Sequence, residues 1–357
     1  MIQWSQQIES SEAFTNFFTG ARVANDAKGI WAIVGWNDTT LIGTFGNGGN
    51  ADLTGSVSWQ VASQLQSNKG WLTGNSPSIG LYRLGTVGAE ITNSPFSGAV
   101  VAALLVWAEG DKLMYVAGIN SINGFAPQQY DTGSVPSVSL DAYATNASAI
   151  PIVEVHQGAS DTQLWYRVGS VKAGPVNTTN PFATPISVTW HNSHPISGSA
   201  FGNAYGTAPS VVVAGGYVIV VFEGSKGKNG NLWYDVGKLN GDTIDWLSQE
   251  NYSNGSNPSV GLTPTYFGQP YQNPSSIVET HTDTTEGSAN YGSATYRSGT
   301  WNNQSSPGWI NWTSGDELMA GNACQPSVAL DENSAAGFLW MPQCLEGNLG
   351  WGLAYQY

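Results

Sequence analysis

The stretch PSVVVAGGYVIVVFEGSKGKNGNLWYDVGKLNGDTIDWLSQENYSNGSN, from Pro209 to Asn257, decides the fold. It contains four short apolar runs, PSVVV, YVIVVFE, NLWYDVG and TIDWLS, separated by segments rich in Gly and Asn. These two residue types tolerate the positive φ angles of tight turns. The sequence PSV then begins again at Pro258. Four strands joined by turns, recurring at about fifty residues, are typical of one blade of a β-propeller.

The composition favours strands over helices. Charged residues make up 10% of the 357 residues, whereas the chain holds 44 Gly, 15 Trp and 15 Tyr. Helices of soluble proteins need a charged outer face, so this profile indicates strands and turns. The longest apolar run, 99–110, is shorter than the roughly 18 residues of a membrane helix, and we interpret it as a buried strand.

The charge of the chain limits its partners. The net charge is −14, mostly because Lys and Arg are few. A negative protein does not attract nucleic-acid phosphates or anionic lipid surfaces, so we expect no nucleic-acid partner and no membrane insertion. The N-terminal sequence MIQWSQQIES lacks the basic start and apolar core of a secretory signal. We expect a secreted or extracellular-acting protein without a visible signal peptide, with storage in the cytoplasm as the alternative.

Two markers recur along the chain and predict the number of blades. The Pro-Ser pair begins at Pro77, Pro136, Pro209, Pro258 and Pro326. An apolar residue stands two positions before Trp4, Trp59, Trp190, Trp246 and Trp312. The interval from Trp59 to Trp190 is about twice the usual one, which predicts a degenerate copy near Phe125. Six units follow from this count, and seven blades are the alternative.

The expected fold is a single all-β domain over residues 1–357, a β-propeller of six four-stranded blades. The units are 21–61, 77–130, 136–195, 209–252, 258–314 and 326–357. The last unit has three strands, and Ile2 to Gln7 is predicted to supply its fourth, which closes the ring in one shared sheet. Cys324 and Cys344 could meet across adjacent strands, and the sequence leaves a disulfide open.

Candidate site residues follow the repeat. A carboxylate ends the apolar run of four second strands, at Glu109, Glu154, Glu223 and Glu279. A Glu at such a place either faces water or must be paired, because burying it alone costs several kcal/mol. The third strands add aromatic residues and the fourth strands add the Trp series. This combination suits a sugar, whose C–H face packs on Trp or Tyr while its hydroxyls need fixed acceptors and donors.

Other interpretations of these residues stay open. The Trp of a propeller strand commonly packs between neighbouring blades, so each Trp can equally be core. His156 and His281 each follow a Glu by two residues and share its strand face, which would allow metal binding or acid–base chemistry. Two units carry this pair, whereas a catalytic centre normally occurs once. We therefore expect no enzyme, no catalytic residue, no metal site and no cofactor.

Sequence motifs of common enzymes are missing. The chain has no Gly-x-Ser-x-Gly elbow, no phosphate-binding Gly-Lys-Ser/Thr loop and no His-Glu-x-x-His helix. It also lacks the Ser-x-Asp-x-Gly-x-x-Trp box of sialidases. A glycosidase needs two carboxylates at a defined separation, and the sequence cannot locate such a pair among 25 Asp and Glu.

The unit PSVVV…VVFEG…NLWYDVGKLNGDTIDW resembles the repeat of the Photorhabdus-type fucose-binding lectins, which are seven-bladed propellers. The segment from Ile152 to Gly169 is similar as well, and the match is good over about 136–262, weaker over 258–357 and poor before Pro77. The resemblance implies calcium-independent recognition of fucose or related, sometimes O-methylated, sugars between blades. With Trp190 added from the Trp series, it predicts ligand contacts by Glu154, His156, Trp165, Arg167, Trp190, Glu223, Trp233, Trp246, Tyr252, Glu279, Tyr296 and Trp312.

The main functional prediction is a multivalent lectin without catalytic activity. Linked weak sites gain avidity of about 10²–10⁴, which would explain a repeated site. Fucosylated or methylated glycans are the expected partners, and assembly into a homo-oligomer is left open. The alternatives are a propeller glycoside hydrolase or polysaccharide lyase with one axial active site, and a non-catalytic protein-interaction propeller.

Overall fold

The structure is a computed structural model, and its regular elements are almost all strands. One 3₁₀ turn lies at Pro181–Ala183, and no described helix is long and apolar enough to cross a membrane. The described residues are 2–9, 19–47, 57–60, 62–68, 70–88, 96, 98–123, 125–141, 144, 149–199, 201–225, 230–263, 275–288, 291–301, 308–313, 316–317, 324–330, 335–341 and 350–356. Cys344, one half of the open disulfide question, falls outside these residues.

The described strands form six sheets of four or five strands. Strand β1 (Ile2–Glu9) begins the chain. Sheet 1 contains β2 (Thr19–Asn25), β3 (Ile30–Asn37), β4 (Thr40–Asn47), β5 (Ser58–Trp59) and β6 (Ser63–Gln64). A small hairpin of β7 (Gln66–Ser67) and β8 (Gly70–Trp71) follows. Sheet 2 contains β9 (Asn75–Thr86), β10 (Ala99–Glu109), β11 (Lys112–Ile119) and β12 (Gln128–Thr132).

The remaining sheets follow the same order along the chain. Sheet 3 contains β13 (Ser134–Leu140), β14 (Ile150–Gln157), β15 (Leu164–Ala173) and β16 (Ile186–Pro195). A hairpin of β17 (Ser197–Gly198) and β18 (Gly202–Asn203) precedes sheet 4, which contains β19 (Gly206–Ala214), β20 (Tyr217–Gly224), β21 (Asn231–Asn240) and β22 (Thr243–Asn254). Sheet 5 contains β23 (Ser256–Thr263), β24 (Ser275–Thr282), β25 (Ala294–Trp301), β26 (Ile310–Trp312) and β27 (Asp316–Glu317). Sheet 6 contains β28 (Cys324–Leu330), β29 (Ala335–Met341), β30 (Gly350–Gln356) and the N-terminal β1.

The sheets are arranged as a β-propeller, which confirms the predicted fold class. The innermost strands β2, β9, β13, β19, β23 and β28 are each adjacent to the next, and β28 is adjacent to β2. In sheet 6, β1 pairs antiparallel with β30 and places Ile2 opposite Gln356. A seventh sheet of this kind does not occur among the described strands.

An apolar core fills each described interface between neighbouring sheets. Consecutive residues of a strand point to opposite faces, so Leu105 packs between sheets 1 and 2 while Leu104 packs between sheets 2 and 3. In sheet 4, Val220 faces sheet 3 and Val221 faces sheet 5 in the same way. Burial on both faces explains why the second strands are continuous apolar runs rather than alternating ones.

The Pro-Ser motif joins the innermost strands of neighbouring sheets. In each case the serine Oγ of one sheet accepts a backbone N–H from the next sheet. The donor is the residue directly after the one that occupies the serine's position in that next sheet. The bonds run from Val138 to Ser78 (3.1 Å), Val211 to Ser137 (3.1 Å), Val260 to Ser210 (3.2 Å), Val328 to Ser259 (3.2 Å) and Val23 to Ser327 (3.2 Å). We call this set the serine belt. Sheet 1 has Arg22 at the equivalent position, so the belt has a gap between sheets 1 and 2.

A β-bulge lies just before the belt serine in the innermost strands. The pairing register shifts, for example, between Ser134 and Ser137 and between Thr207 and Ser210. The residue before each belt proline has a left-handed backbone. Its φ is 49° at Ser76, 48° at Val135, 48° at Ala208, 52° at Asn257 and 50° at Gln325, and Gly20 of sheet 1 has φ 55°. Bulges re-aim the chain and commonly lie beside active sites. Here they turn six left-handed residues toward the same end of the propeller axis.

The fourth-strand Trp of four sheets packs over a third-strand glycine. The pairs are Gly46 with Trp59, Gly169 with Trp190, Gly237 with Trp246 and Gly299 with Trp312. In sheet 2 the ring of Phe125 takes this place over Gly118, since a Cβ on Gly118 would lie 2.7 Å from Phe125 Cε2. Phe125 thus stands where the other sheets have a Trp, although strand β12 begins later, at Gln128. The side chain of Trp4 lies outside the described part of the structure.

Candidate functional site

Two of the predicted site carboxylates are buried away from solvent. Glu154 and Glu279 are each 0% exposed. The Nδ1 atom of His156 lies 3.0 Å from Glu154 Oε2, and Nδ1 of His281 lies 3.0 Å from Glu279 Oε2. Of the two possibilities for such a Glu, water contact or pairing, the structure shows pairing in both sheets.

The cluster around Glu154 holds charges on both sides of the interface between sheets 2 and 3. Arg167 Nε donates to Asp131 Oδ2 at 2.6 Å. Burial is the largest influence and would raise the pKa of Asp131, but hydrogen bonds from Arg167 and from the Thr132 N–H, with the charges of His156 and Arg167, together lower that pKa. Burial would likewise lower the pKa of His156, but the charge and hydrogen bond of Glu154, with the charge of Asp131, together raise that pKa. Burial, reinforced by Glu154, raises the pKa of Tyr130 well above its ordinary value.

The aromatic residues of both clusters stack on one another. Tyr130 and Trp190 are stacked with ring centroids 4.9 Å apart, and Tyr252 and Trp312 are stacked at 5.1 Å. Burial and the adjacent Glu279 raise the pKa of Tyr252 well above its ordinary value. The ring faces that would receive a sugar are thus in contact with other rings of the protein.

Third-strand tyrosines complete the contacts between sheets. Tyr166 packs edge-on against Trp246 at 5.6 Å, and its hydroxyl accepts the backbone N–H of Ile244 at 3.1 Å. Tyr234 has the same relation to Trp312, at 6.1 Å, and to the N–H of Ile310. These pairs match the interpretation of the Trp residues as packing between blades.

The predicted site residues therefore fall into separate groups. Glu154, His156, Arg167 and Trp190 come together between sheets 2 and 3, and Tyr252, Glu279 and Trp312 come together between sheets 4 and 5. Trp246 and Trp233 pack between sheets 3 and 4. Trp165 is half-buried opposite His156 on the neighbouring strand, and Tyr296 is buried in sheet 5. Glu223 belongs to neither carboxylate cluster.

The predicted equivalence of Glu223 with Glu154 and Glu279 is wrong. The third-strand tyrosines give the common register, with Tyr166 opposite Val155, Tyr234 opposite Val221 and Tyr296 opposite Thr280. On this register Val220 stands in the place of the two buried carboxylates. Glu223 stands further along the strand, where sheets 3 and 5 have Gln157 and Thr282.

Glu223 instead lies in a cavity of about 360 Å³ at one mouth of the propeller axis. We call this the axial cavity. It is lined by the six left-handed residues that precede the belt, by Ala21, Pro136 and Pro326, and by Arg22, Trp36, Thr207 and Glu223. Because all six innermost strands contribute to its wall, the cavity is a single site on the propeller axis and does not recur between sheets.

The two ionisable groups of the axial cavity are both affected by burial. Burial raises the pKa of Glu223, and it lowers the pKa of Arg22 to about 10. Neither pKa responds to the charge of the other group, and the described ion pairs include neither residue. Arg22 and Glu223 thus share a cavity without forming an ion pair, which leaves both groups available to a ligand.

Trp36 supplies a flat apolar wall to the cavity and is held there by the backbone of Gly20. A Cβ on Gly20 would lie 2.0 Å from the Trp36 ring, and the φ of 55° at this position also favours glycine. Thr207 and Asn257 add a hydroxyl and an amide group to the same wall. Within the described part of the chain, no group of three or more His, Cys, Asp or Glu side chains could hold a metal ion.

The sequence prediction missed Arg22 and Trp36. Both lie in the first unit, which lacks the Pro-Ser opening and therefore could not be aligned on that marker. One signal was present, because the segment Gly20-Ala-Arg-Val precedes an apolar strand just as Ser76-Pro-Ser-Ile does. Aligned this way, Arg22 replaces the serine found in five other units.

The chain is similar to solved structures of propeller proteins. No protein-family model matches it, and no curated protein matches it either. A mutant of the NanB sialidase from Streptococcus pneumoniae is 8% identical with a TM-score of 0.54, covering 99% of this chain and 70% of that chain. AofleA from Arthrobotrys oligospora is 9% identical with a TM-score of 0.51, covering 98% and 87%. An arabinofuranosidase from Fusarium graminearum is 12% identical with a TM-score of 0.46, covering 99% and 98%. At such identities the likeness shows the fold alone.

These findings correct the main functional prediction. The sialidase belongs to the glycoside hydrolases, the class named in the alternative, and the lectin prediction depended on repeated accessible carboxylates. Glu154 and Glu279 are inaccessible, and Glu223 is not their equivalent. The prediction of a fucose-binding lectin without enzymatic activity is therefore wrong, whereas the resemblance of the repeat itself stays a prediction. What the structure offers in place of repeated sites is one axial cavity.

Proposed function

We propose that the protein is a carbohydrate-active enzyme that cleaves glycosidic bonds at one site, the axial cavity, with Glu223 as proton donor. The observation that supports this most directly is the state of Glu223, a half-buried carboxyl in the cavity whose pKa is raised by burial. A general acid must hold its proton near the operating pH, and a raised carboxyl pKa serves that purpose.

The uniqueness of Glu223 supports a catalytic role over a repeated binding role. Its equivalents in sheets 3 and 5 are Gln157 and Thr282, neither of which can donate a carboxyl proton. A catalytic centre normally occurs once in a chain, whereas multivalent binding would repeat the group. The position of the cavity also occurs only once, because a ring of sheets has a single axis.

The cavity has the size and lining of a small sugar site. Its volume of about 360 Å³ lies in the range of about 300–1,000 Å³ that is typical of small-molecule pockets. Trp36 offers an indole for the C–H face of a sugar ring, and Thr207 and Asn257 offer groups that hydrogen-bond hydroxyls.

The chemistry assigned to Glu223 is donation of its proton to the glycosidic oxygen. As the bond between that oxygen and the ring carbon breaks, the proton converts the leaving sugar into a neutral alcohol, and positive charge develops on the ring. A water molecule then bonds to the ring carbon and gives up a proton to solvent, which completes the hydrolysis. Ordinary glycosidases add a second carboxylate as base or nucleophile. Glu223 is the one carboxyl in the described lining, so proton donation is the role we assign.

The test is a cleavage assay on the purified full chain with a panel of polysaccharides and aryl glycosides. Released reducing ends and unsaturated sugar products are both measured, since the first report hydrolysis and the second report elimination. We expect cleavage of at least one glycan, and we expect Glu223→Gln to lower the rate about 10²–10⁴-fold, the usual contribution of a general acid.

Glu109→Gln is the matched control, because Glu109 is an exposed carboxyl at the end of another second strand. This variant should keep the wild-type rate. The proposal fails if the wild-type chain cleaves no glycan in the panel, or if Glu223→Gln cleaves as fast as Glu109→Gln.

A further inference from the structure

We infer that the axial cavity recognises an acidic sugar and that Arg22 binds the anionic group of that sugar. The inference rests on the proposed function and names the substrate class for the same site. It is carried by a residue that breaks the symmetry of the propeller at the cavity wall.

Arg22 occupies a position that five other sheets give to the serine of the belt. Arg22 lies opposite Val34 after a register shift, just as Ser137 lies opposite Val155 and Ser210 opposite Val221. A serine at this position would offer its oxygen to Ile79, the residue equivalent to Val138. Arg22 has no hydroxyl, so the belt hydrogen bond between sheets 1 and 2 is not formed. Arg22 instead lines the axial cavity.

The Arg22 side chain is half-buried, and no carboxylate pairs with it among the described residues. Burial alone lowers its pKa to about 10. Of the other three arginines, Arg83 pairs with Asp26 at 2.7 Å and Arg167 pairs with Asp131 at 2.6 Å, whereas Arg297 lies opposite Glu279 in sheet 5 without a described ion pair. No ion pair among the described residues includes Arg22. A cation that has lost part of its hydration and has no ion-pair partner is favourably placed to bind an anion that enters the cavity.

The shape of the site favours a carboxylate on a single sugar. A guanidinium presents two parallel N–H groups that match the two oxygens of a carboxylate. Trp36 lines the same cavity and can pack on the sugar ring while Arg22 holds its acidic group. The net charge of −14 would repel a long polyanion. We therefore assign an isolated acidic sugar, such as a terminal uronic acid, in an otherwise neutral glycan.

The test is calorimetric titration of the full-length protein with glucuronate, glucose and glucose 6-sulfate. We expect glucuronate to bind roughly tenfold or more tightly than glucose, the difference that one charge-assisted hydrogen-bond pair supplies. Arg22→Ser should abolish this preference, and Arg22→Lys should keep part of it because it retains the charge but not the planar fork.

Arg22→Ser is expected to fold normally, because serine is the residue of five other sheets at this position. Lys172→Ser, which removes an exposed cation from strand β15, is the matched control and should leave the preference unchanged. Equal affinity of the wild-type protein for glucuronate and glucose would overturn the inference, as would an unchanged preference in Arg22→Ser. Binding of glucose 6-sulfate without glucuronate would overturn the assignment to a carboxylate. In each of these cases cleavage that depends on Glu223 could still stand, because it is measured on a separate panel.

Discussion

The hydroxyl oxygen of Ser210 accepts the backbone N–H of Val260 at 3.2 Å and so joins the innermost strands of sheets 4 and 5. Both residues are buried, and this geometry recurs in each pair of neighbouring sheets that the serine belt joins. The second residue of the Pro-Ser pair thus acts on the next unit and not on its own. A marker that served only to count the repeat units in the sequence is an interface residue in the structure.

Removing this hydroxyl should weaken the propeller measurably. Ser210→Ala leaves the buried N–H of Val260 without its partner, and an unsatisfied buried donor costs about 1–3 kcal/mol. We expect a loss of this size in the free energy of unfolding, measured by urea denaturation. Ser187 is exposed on strand β16, so Ser187→Ala should change the free energy by less than about 0.5 kcal/mol. Equal losses in the two variants would contradict the role of the belt.

The glycines under the fourth-strand Trp residues should not tolerate a methyl group. A Cβ on Gly237 would lie 2.3 Å from Ile244 Cγ2 and 2.9 Å from Trp246 Cε3. We expect Gly237→Ala to lower the free energy of unfolding by about 1–3 kcal/mol, the usual cost of overpacking.

Gly85 provides the matched control for this substitution. It also lies in a strand, but a Cβ there would meet nothing within 4 Å. Gly85→Ala should be neutral or stabilising by up to about 1 kcal/mol, because alanine restricts the unfolded chain more than glycine does. The packing argument is wrong if both substitutions have the same effect on thermal unfolding.

The buried His156 should make stability depend on pH. Burial opposes its protonation, but the Glu154 carboxylate raises the pKa of His156 above its ordinary value of 6.5. A raised folded-state pKa contributes stability that is fully present below the unfolded-state pKa and is lost as pH rises through the folded-state pKa. His156→Gln removes this contribution but keeps a hydrogen-bond donor near Glu154.

The measurement is the difference in unfolding free energy between the wild-type protein and His156→Gln, taken from about pH 5.5 to about pH 9. We expect the advantage of the wild-type protein to be largest at the acidic end and to shrink as pH rises. A difference that stays constant over this range would show that the proton on His156 does not stabilise the fold.

Glu223 should change stability with pH in the same direction as His156, but over a more acidic range. Burial raises its folded-state pKa above the ordinary value of 4.5, so the folded state holds the proton more tightly than the unfolded state does. The wild-type protein should therefore lose stability relative to Glu223→Gln as pH rises from about 4 toward 7. Urea denaturation of both proteins at the two pH values checks this, and a relative stability that rises with pH would contradict the raised pKa.

The fold was largely predictable because its markers act locally in each unit. The Pro-Ser pair, the third-strand tyrosines and the fourth-strand Trp residues recur in sequence, and even the exception near Phe125 could be placed by spacing. Backbone pairing then follows from short turns, such as the one between Ala214 and Tyr217. The propeller class follows from these local signals.

The site was less predictable because it depends on register and on the exception to the repeat. Glu223 looked equivalent to Glu154 because both end an apolar run. The strand register shows that Glu223 lies further along its strand, so Glu154 is buried between sheets while Glu223 lies in the axial cavity. Arg22 could not be recognised from the repeat at all, because its importance lies in departing from it. The location of Glu223 and the position of Arg22 in the belt can be established only once the pairing of the strands is known.

The pairing of β1 with β30 imposes an order on biosynthesis. Sheets 1 to 5 are each made of consecutive strands, so each can assemble as it leaves the ribosome. Strand β1 is translated long before β30 and pairs only after β30 is made, which at about 5–20 residues per second means roughly tens of seconds. Throughout that interval its backbone groups form an open edge that other nascent chains could join. The step that completes the ring is therefore also the step at which a cell's chaperones have most to protect.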